Sequence, residues 1–190
     1  MKNSIFLIAV LLLFYGCSNN DDSTNQSLEE NPIEKTIEIA NLDFDETIGD
    51  NTSPIAQYGY TFSSNSNGKI TKLGLLLKII ATNGRIQIWD FDTQTLIFDE
   101  LVNTSFTGVA SQTITPISII ANKKYVITVV TRMYQTYLNN SLTPIYPIQA
   151  DSITLIESRA DTNFMSFPTI GNPNAAALAG IPTFAFEPDN

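Results

Sequence analysis

Residues 84–102, GRIQIWDFDTQTLIFDELV, restrict the possible folds more than any other stretch. Ile86 and Ile88 alternate with Arg85, Gln87 and Trp89, the period-two pattern of a strand with one buried face. Asp92, Thr93 and Gln94 supply turn chemistry. Leu96, Ile97, Phe98, Leu101 and Val102 then carry the chain back, so the stretch reads as a β-hairpin. The same pattern recurs elsewhere. Tyr58, Tyr60 and Phe62 alternate with Gln57, Gly59 and Thr61. A long strand is expected over residues 69–80, with Thr71, Leu73, Leu75, Leu77 and Ile79 on one face. Residues 125–131, YVITVVT, are almost all β-branched or aromatic and read as a central strand. Further strands are expected over residues 32–44 (with a bulge), 111–120, 152–156 and 181–186, with Pro116 marking an edge or a bulge. Residues 134–147 and 160–180 read as loops, the second with a helical turn at 174–179. Strands at this spacing, without an amphipathic helix, predict an all-β antiparallel sandwich of jelly-roll or immunoglobulin-like type.

Composition removes several function classes. With 43 % hydrophobic residues among 190, the chain can build a core. Its net charge of −9 repels phosphate backbones, so nucleic acid is not an expected partner. Histidine is absent, which excludes Ser-His-Asp and Cys-His catalysis and imidazole-held metals. A single cysteine, Cys17, excludes an intrachain disulfide.

That cysteine has a telling position. Met1-Lys2-Asn3-Ser4 is a short basic start, and residues 5–15 form an apolar run too short to span a bilayer but suited to a signal-peptide core. Phe14-Tyr15-Gly16-Cys17 resembles a bacterial lipoprotein box in its Bacteroidetes-type form, where bulky residues stand in place of the commonest ones. The resemblance implies removal of a signal peptide, residues 1–16, and lipidation of Cys17 by a diacylglyceryl group and further acyl chains such as palmitate. Each buried methylene adds roughly 0.8 kcal/mol to such an anchor. Residues 18–22, SNNDD, resemble the acidic export signal that sends these lipoproteins to the outer-membrane surface. Residues 18–31 hold one apolar side chain, Leu28, and residues 17–31 read as a flexible tether ahead of a single domain, residues 32–190.

The centre of the domain has a family look as well. Gly59, Phe62, Gly68, Ile70, Leu73, Trp89, Asp90, Leu96, Pro116, Ile117, Tyr125 and Val126 follow a G-x-x-F, G-x-I-T-x-L, W-D, P-[IV], Y-V-[IV] pattern. This resembles an uncharacterised β-sandwich domain of extracellular bacterial proteins. The resemblance implies a sandwich and a binding or presentation role; it carries over no functional residues.

Four groups of side chains are candidates for chemistry. Asp43-Phe44-Asp45-Glu46-Thr47 matches the D-x-D-x-T nucleophile motif of haloacid-dehalogenase-like phosphatases, but that motif ends a buried parallel strand, and no βαβ alternation is present. Asp90 and Asp92, with Asp99 and Glu100, offer oxygen ligands to Ca²⁺; without a D-x-[DN]-x-[DN]-G loop they read rather as solvated turn acids. Trp89 reads either as a stacking platform for a sugar or as a ring covered by the 94–102 strand or the C-terminal segment. Arg132, Tyr134, Tyr137 and Asn139 combine a guanidinium, two phenols and an amide, a set suited to a neutral glycan. Asp22-Ser23-Thr24 and Asp151-Ser152-Ile153 also resemble Bacteroidetes O-glycosylation sites. The expectation is a surface lipoprotein acting as a non-catalytic binding or adhesion module for glycan, needing no cofactor beyond its lipid. The alternatives are an accessory subunit of an outer-membrane complex and, less favoured, a hydrolase built on the acids.

Overall fold

The computed structural model describes residues 28–50, 52–76, 84–102 and 112–189. Its first element corrects the reading of residues 32–44 as a strand: α1, Pro32–Ile39, is a helix. Pro32 suits the first helical turn, where its fixed φ is already helical and its missing N–H is not needed. Ile33, Thr36, Ile37 and Ala40 fall at three- and four-residue spacing and turn toward the core, while Ile39 stays exposed. The helical period therefore outweighs the two-residue alternation of Ile37 and Ile39.

The folded body also begins earlier than Pro32. Glu30 exchanges backbone hydrogen bonds of 2.8 and 2.9 Å with Phe186. Its carboxylate accepts from the Ser152 amide and hydroxyl. Glu29 pairs with Lys72 at 2.6 Å. The last residues of the expected tether thus belong to the domain; its remainder, and Cys17, lie outside the described residues.

Among the described residues thirteen strands follow: β1 Asp43–Ile48, β2 Ala56–Ser64, β3 Gly68–Leu75, β4 Gly84–Asp90, β5 Leu96–Val102, β6 Gln112–Ile119, β7 Lys124–Thr131, β8 Tyr134–Leu138, β9 Ile148–Ala150, β10 Ile153–Asp161, β11 Ile170–Asn172, β12 Ala177–Ala179 and β13 Pro182–Pro188. They form antiparallel sheets. The largest runs β11-β10-β2-β7-β4-β5, with β9 also on β10; two three-stranded sheets run β13-β3-β6 and β1-β8-β12. The expected hairpin is present as β4 and β5, paired from Gly84↔Val102 to Ile88↔Phe98. The β-branched strand β7 is central, between β2 and β4. Pro116 sits on β6, which among the described residues pairs only with β3, so no second ladder there needs its missing N–H.

One core joins the layers. Tyr60, Phe62, Ile86, Ile88, Ile127 and Leu155 on the inner face of the large sheet meet Ile70, Leu73, Ile119, Phe184 and Phe186 of the β13-β3-β6 sheet. Phe62 and Phe184 have ring centroids 5.0 Å apart, and the buried Tyr60 hydroxyl donates to the Pro182 carbonyl. The fold is thus an all-β antiparallel sandwich.

Three further stretches differ from the alternation reading. A bulge between Ile70 and Lys72 puts both Ile70 and Leu73 in the core, and the expected continuation of β3 through Leu77 and Ile79 lies outside the described residues. Residues 134–138 form a strand, β8, rather than a loop. The 160–180 stretch contains β11 and β12 where a helical turn at 174–179 is expected, because both strands find partners, on β10 and β8.

Candidate functional site

Two places on the sandwich collect the polar and aromatic side chains relevant to binding: one end of the molecule and the outer face of the large sheet.

At the end, the turn between β7 and β8 meets the loop before β2. Asp50 closes that loop by accepting from the Thr52 amide and hydroxyl, both at 2.7 Å, and from the Ser53 amide at 2.9 Å. The Thr52 hydroxyl, more than any other group, holds the Asp50 carboxyl below its ordinary value. Arg132 is exposed and donates from Nη1 to the Ser53 carbonyl at 2.5 Å. Gly49 has φ +85°, and a Cβ there would strike the Arg132 carbonyl, so only glycine lets the loop close against the turn. Beside them, Tyr134 of β8 stacks on Tyr58 of β2, with ring centroids 3.9 Å apart and 30° between planes. Both rings are half-buried. Burial raises both phenols above their ordinary values; a hydrogen bond from the pair lowers Tyr58 in part, and the nearby charges of Tyr58 and Glu46 raise Tyr134 further. This end therefore presents one partly open aromatic stack and one guanidinium.

The other members of the expected set do not join it. Tyr137 lies one strand position out of phase with Tyr134, so it is half-buried against the core rather than beside the stack, and packs edge-on against Phe44 at 5.8 Å. Asn139 is consumed by its own turn: its Oδ1 accepts from the Thr143 amide and Ser141 hydroxyl, and its Nδ2 donates to Thr143.

Trp89 lies on the outer face of the large sheet, opposite Ile86 and Ile88, but only 5 % exposed. The C-terminal segment covers it: Phe167 meets it edge-on, 6.2 Å between centroids, and Phe91 meets Phe167 in the same way at 5.9 Å. Of the two readings of Trp89, the structure has the ring covered, by the C-terminal segment, and not the open stacking platform. Register places polar groups around it. One lateral row runs Arg159–Gly59–Thr128–Gln87–Asp99 and the next Glu157–Thr61–Val126–Trp89–Leu96. Gly59 is required in its row, since a Cβ would collide with the Ile127 and Thr128 backbone.

Residues 163–169 form a roof held by side chains of the sheet. Gln57 Nε2 donates to the Asn163 and Ser166 carbonyls, both at 2.8 Å, while Thr128 Oγ1 donates to Gln57 Oε1. Arg159 donates to Thr61 Oγ1, to the Pro168 and Thr169 carbonyls, and to Glu157, and its guanidinium sits 5.0 Å from the Phe91 centroid. Asp161 fixes both roots of the roof, accepting from the Asn163 amide and from the Thr169 amide and hydroxyl; the Asn163 contact is the main reason its carboxyl is held below the ordinary range. Gln57, Thr61, Thr128 and Arg159 are not legible as a group in the sequence, because polar residues alternating with apolar ones read as a solvated face.

The acids are spoken for. Asp90 Oδ1 accepts from the Asp92 and Thr93 amides, capping the hairpin turn, and Oδ2 pairs with Lys123, which is the first cause of its lowered pKa. Asp92 is exposed. No group of three or more His, Cys, Asp or Glu side chains placed to hold a metal ion is found among the described residues. Asp43 and Asp45 lie on β1 of a three-stranded antiparallel sheet, where Asp45 accepts from Thr136; the parallel strand and following helix that D-x-D-x-T chemistry needs are not at this position.

The protein is, by its architecture, an antiparallel β-sandwich with a tyrosine-lined end and a roofed polar face. No protein-family model matches the sequence, and comparison with curated proteins finds no match. Among the described residues no helix is long and apolar enough to cross a membrane.

Proposed function

We propose that this chain is a lipid-anchored protein of the outer-membrane surface whose sandwich binds a ligand without transforming it, with glycan as the ligand class. The observation that carries the reading is the half-open Tyr58–Tyr134 stack beside the exposed Arg132. An aromatic face suits the C–H face of a pyranose, and a guanidinium suits its hydroxyls. The anchor rests on Cys17, the one cysteine, at the position a lipoprotein box requires. The clamp of Glu29 and Glu30 onto β3, β13 and Ser152 gives a tether a fixed point of departure.

Retention of the full chain on a glycan array is the test, comparing the wild type with Arg132→Ala/Tyr134→Ala. The double variant is expected to lose retention while keeping its circular dichroism; unchanged retention removes this site. Expression in a bacterium fed labelled palmitate is expected to label the wild type and not Cys17→Ala.

A second reading, accessory subunit of a membrane complex, is favoured by the edge strand β5. Among the described residues it pairs only with β4, and it exposes Leu96, Ile97 and Leu101. Such an edge is a ready site for strand addition by a partner. A stoichiometric protein partner in a membrane pull-down, with a silent glycan array, would favour it.

A further inference from the structure

The outer face carries two buried polar atoms that the network just described leaves without a partner. Gln87 Oε1 and Trp89 Nε1 have no hydrogen-bond partner among the described residues, although Gln87 is 3 % exposed and Trp89 5 %. Both belong to β4, two positions apart, so both project from the same side of the sheet. One is an acceptor lacking a donor and the other a donor lacking an acceptor. Neighbouring polar groups on this face are paired: Gln57 with Thr128 and the roof, Arg159 with Thr61, Glu157 and the roof, Arg85 with Asp99. Buried polar groups in folded proteins nearly always find partners, so two complementary orphans on one face of one strand point to a ligand.

We propose that Gln87 and Trp89 form a second, roofed subsite for a neutral hydroxyl-bearing ligand, a sugar residue or polyol. A hydroxyl is the group that satisfies both atoms, donating to Gln87 Oε1 and accepting from Trp89 Nε1–H. The charges nearby are already balanced, Arg159 by Glu157 and Arg85 by Asp99, so nothing in the subsite calls for an ionic ligand. Trp89, Phe91 and Phe167 supply apolar surface for C–H groups. Entry is through the roof. Residues 163–169 are held over the face by the side chains of Gln57, Arg159 and Asp161 and by the edge contacts of Phe167, bonds that can break and re-form without unpairing a strand. The ligand class is shared with the tyrosine end, but the residues are not, so the two sites stand or fall separately.

Trp89 is the one tryptophan of the chain, so its fluorescence reports this subsite directly. The full chain is titrated with glucose, galactose, mannose, xylose and glycerol, with glucuronate as a charged control. The expected result is a saturable change in Trp89 emission with at least one neutral probe. It should weaken by about tenfold or more in Gln87→Leu, be weaker for glucuronate than for glucose, and persist in Tyr134→Ala. A thermal melt checks that Gln87→Leu is folded; if it is not, Gln87→Met, which keeps the length of the side chain but removes the acceptor, is expected to show the same loss. No saturable change with any neutral probe means that an ordered water alone satisfies the two atoms, and the proposal is overturned. A change that survives both Gln87 variants, or one that disappears in Tyr134→Ala, also overturns it.

Discussion

The two faces of the large sheet are built from the same strands and solve burial in opposite ways. On the inner face Tyr60, Phe62, Ile86, Ile88 and Ile127 meet a second layer of equally apolar side chains. On the outer face Gln57, Thr61, Gln87, Thr128 and Arg159 are buried to the same degree, beneath seven residues of roof. The inner face is held by area removed from water, roughly 25 cal/mol for each Å². The outer face removes little apolar surface; hydrogen bonds hold it, each worth only about 0.5–1.5 kcal/mol net but expensive to leave unmade. The inner face is therefore the source of stability, and the outer face the place where a few specific partners decide whether the roof stays down. A strand can serve both because successive side chains point to opposite sides.

The largest effect expected from a single change is on the inner face. Phe62→Ala removes a fully buried ring that touches Tyr125 and Phe184, and should cost about 3–5 kcal/mol in urea unfolding. A loss under about 1 kcal/mol would mean that the two layers are not one core. Next is Arg159→Leu on the outer face. It strands the Pro168 and Thr169 carbonyls and the Glu157 carboxylate, a cost of about 1–3 kcal/mol. Its signature is local: amide exchange should speed up across residues 163–169 and stay slow in β2 and β7. Uniform acceleration would show that roof and sheet open together and would erase the contrast between the faces.

The inner face was the legible one. Ile86 and Ile88, Tyr60 and Phe62, and the run Tyr125–Thr131 alternate or saturate with β-branched and aromatic residues, and each became a strand in the expected place. The helix was hidden because eight residues give barely two turns, and Ile37 and Ile39 mimic a strand over so short a span. β8, β11 and β12 were hidden because strands of three to five residues depend on partners distant in the chain. The outer face was hidden for the same reason in stronger form: Gln57 reaches carbonyls 106 and 109 residues away, and no local pattern announces that a polar row will be covered. Of the expected binding residues, Arg132 and Tyr134 ended at a surface. Tyr137 and Asn139 are equally polar on paper, but strand phase turned one to the other side of β8, half-buried against Phe44, and a turn consumed the other.

A third, smaller effect tests the inner side's own polar intrusion. Glu34 of α1 points both carboxylate oxygens into buried surroundings, where only its own backbone N–H answers them. Burial raises its pKa above the ordinary glutamate value. The folded state thus favours the protonated form. The stability linked to this group is fully present below the unfolded-state pKa, about 4.3, and is lost as pH rises through the higher folded value. Glu34→Gln keeps the shape without the charge. It should melt at higher temperature than the wild type at neutral pH, and the gap should close as pH falls toward the ordinary glutamate range. A gap independent of pH would show that the carboxylate is not desolvated, leaving the inner side uniformly apolar.

The smallest effect belongs to the rim of the outer face, where Arg85 of β4 grips Asp99 of β5 through Nε and Nη2. The geometry is two-pronged, as a guanidinium and a carboxylate prefer. Yet the Arg85 side chain is 47 % exposed and Asp99 20 %, so water competes for both. Arg85→Ala should cost less than about 1 kcal/mol, and the cost should shrink in high salt, which screens exposed pairs. The same titration with Arg159→Leu should show little dependence on salt, because Arg159 is buried under the roof. Chemically the two arginines are alike: each meets a carboxylate on the same face of the same sheet. If both variants lost similar stability and answered salt alike, burial under residues 163–169 would not be what distinguishes the covered centre of this face from its open edge, and the roof would be no more than a loop lying on a wet surface.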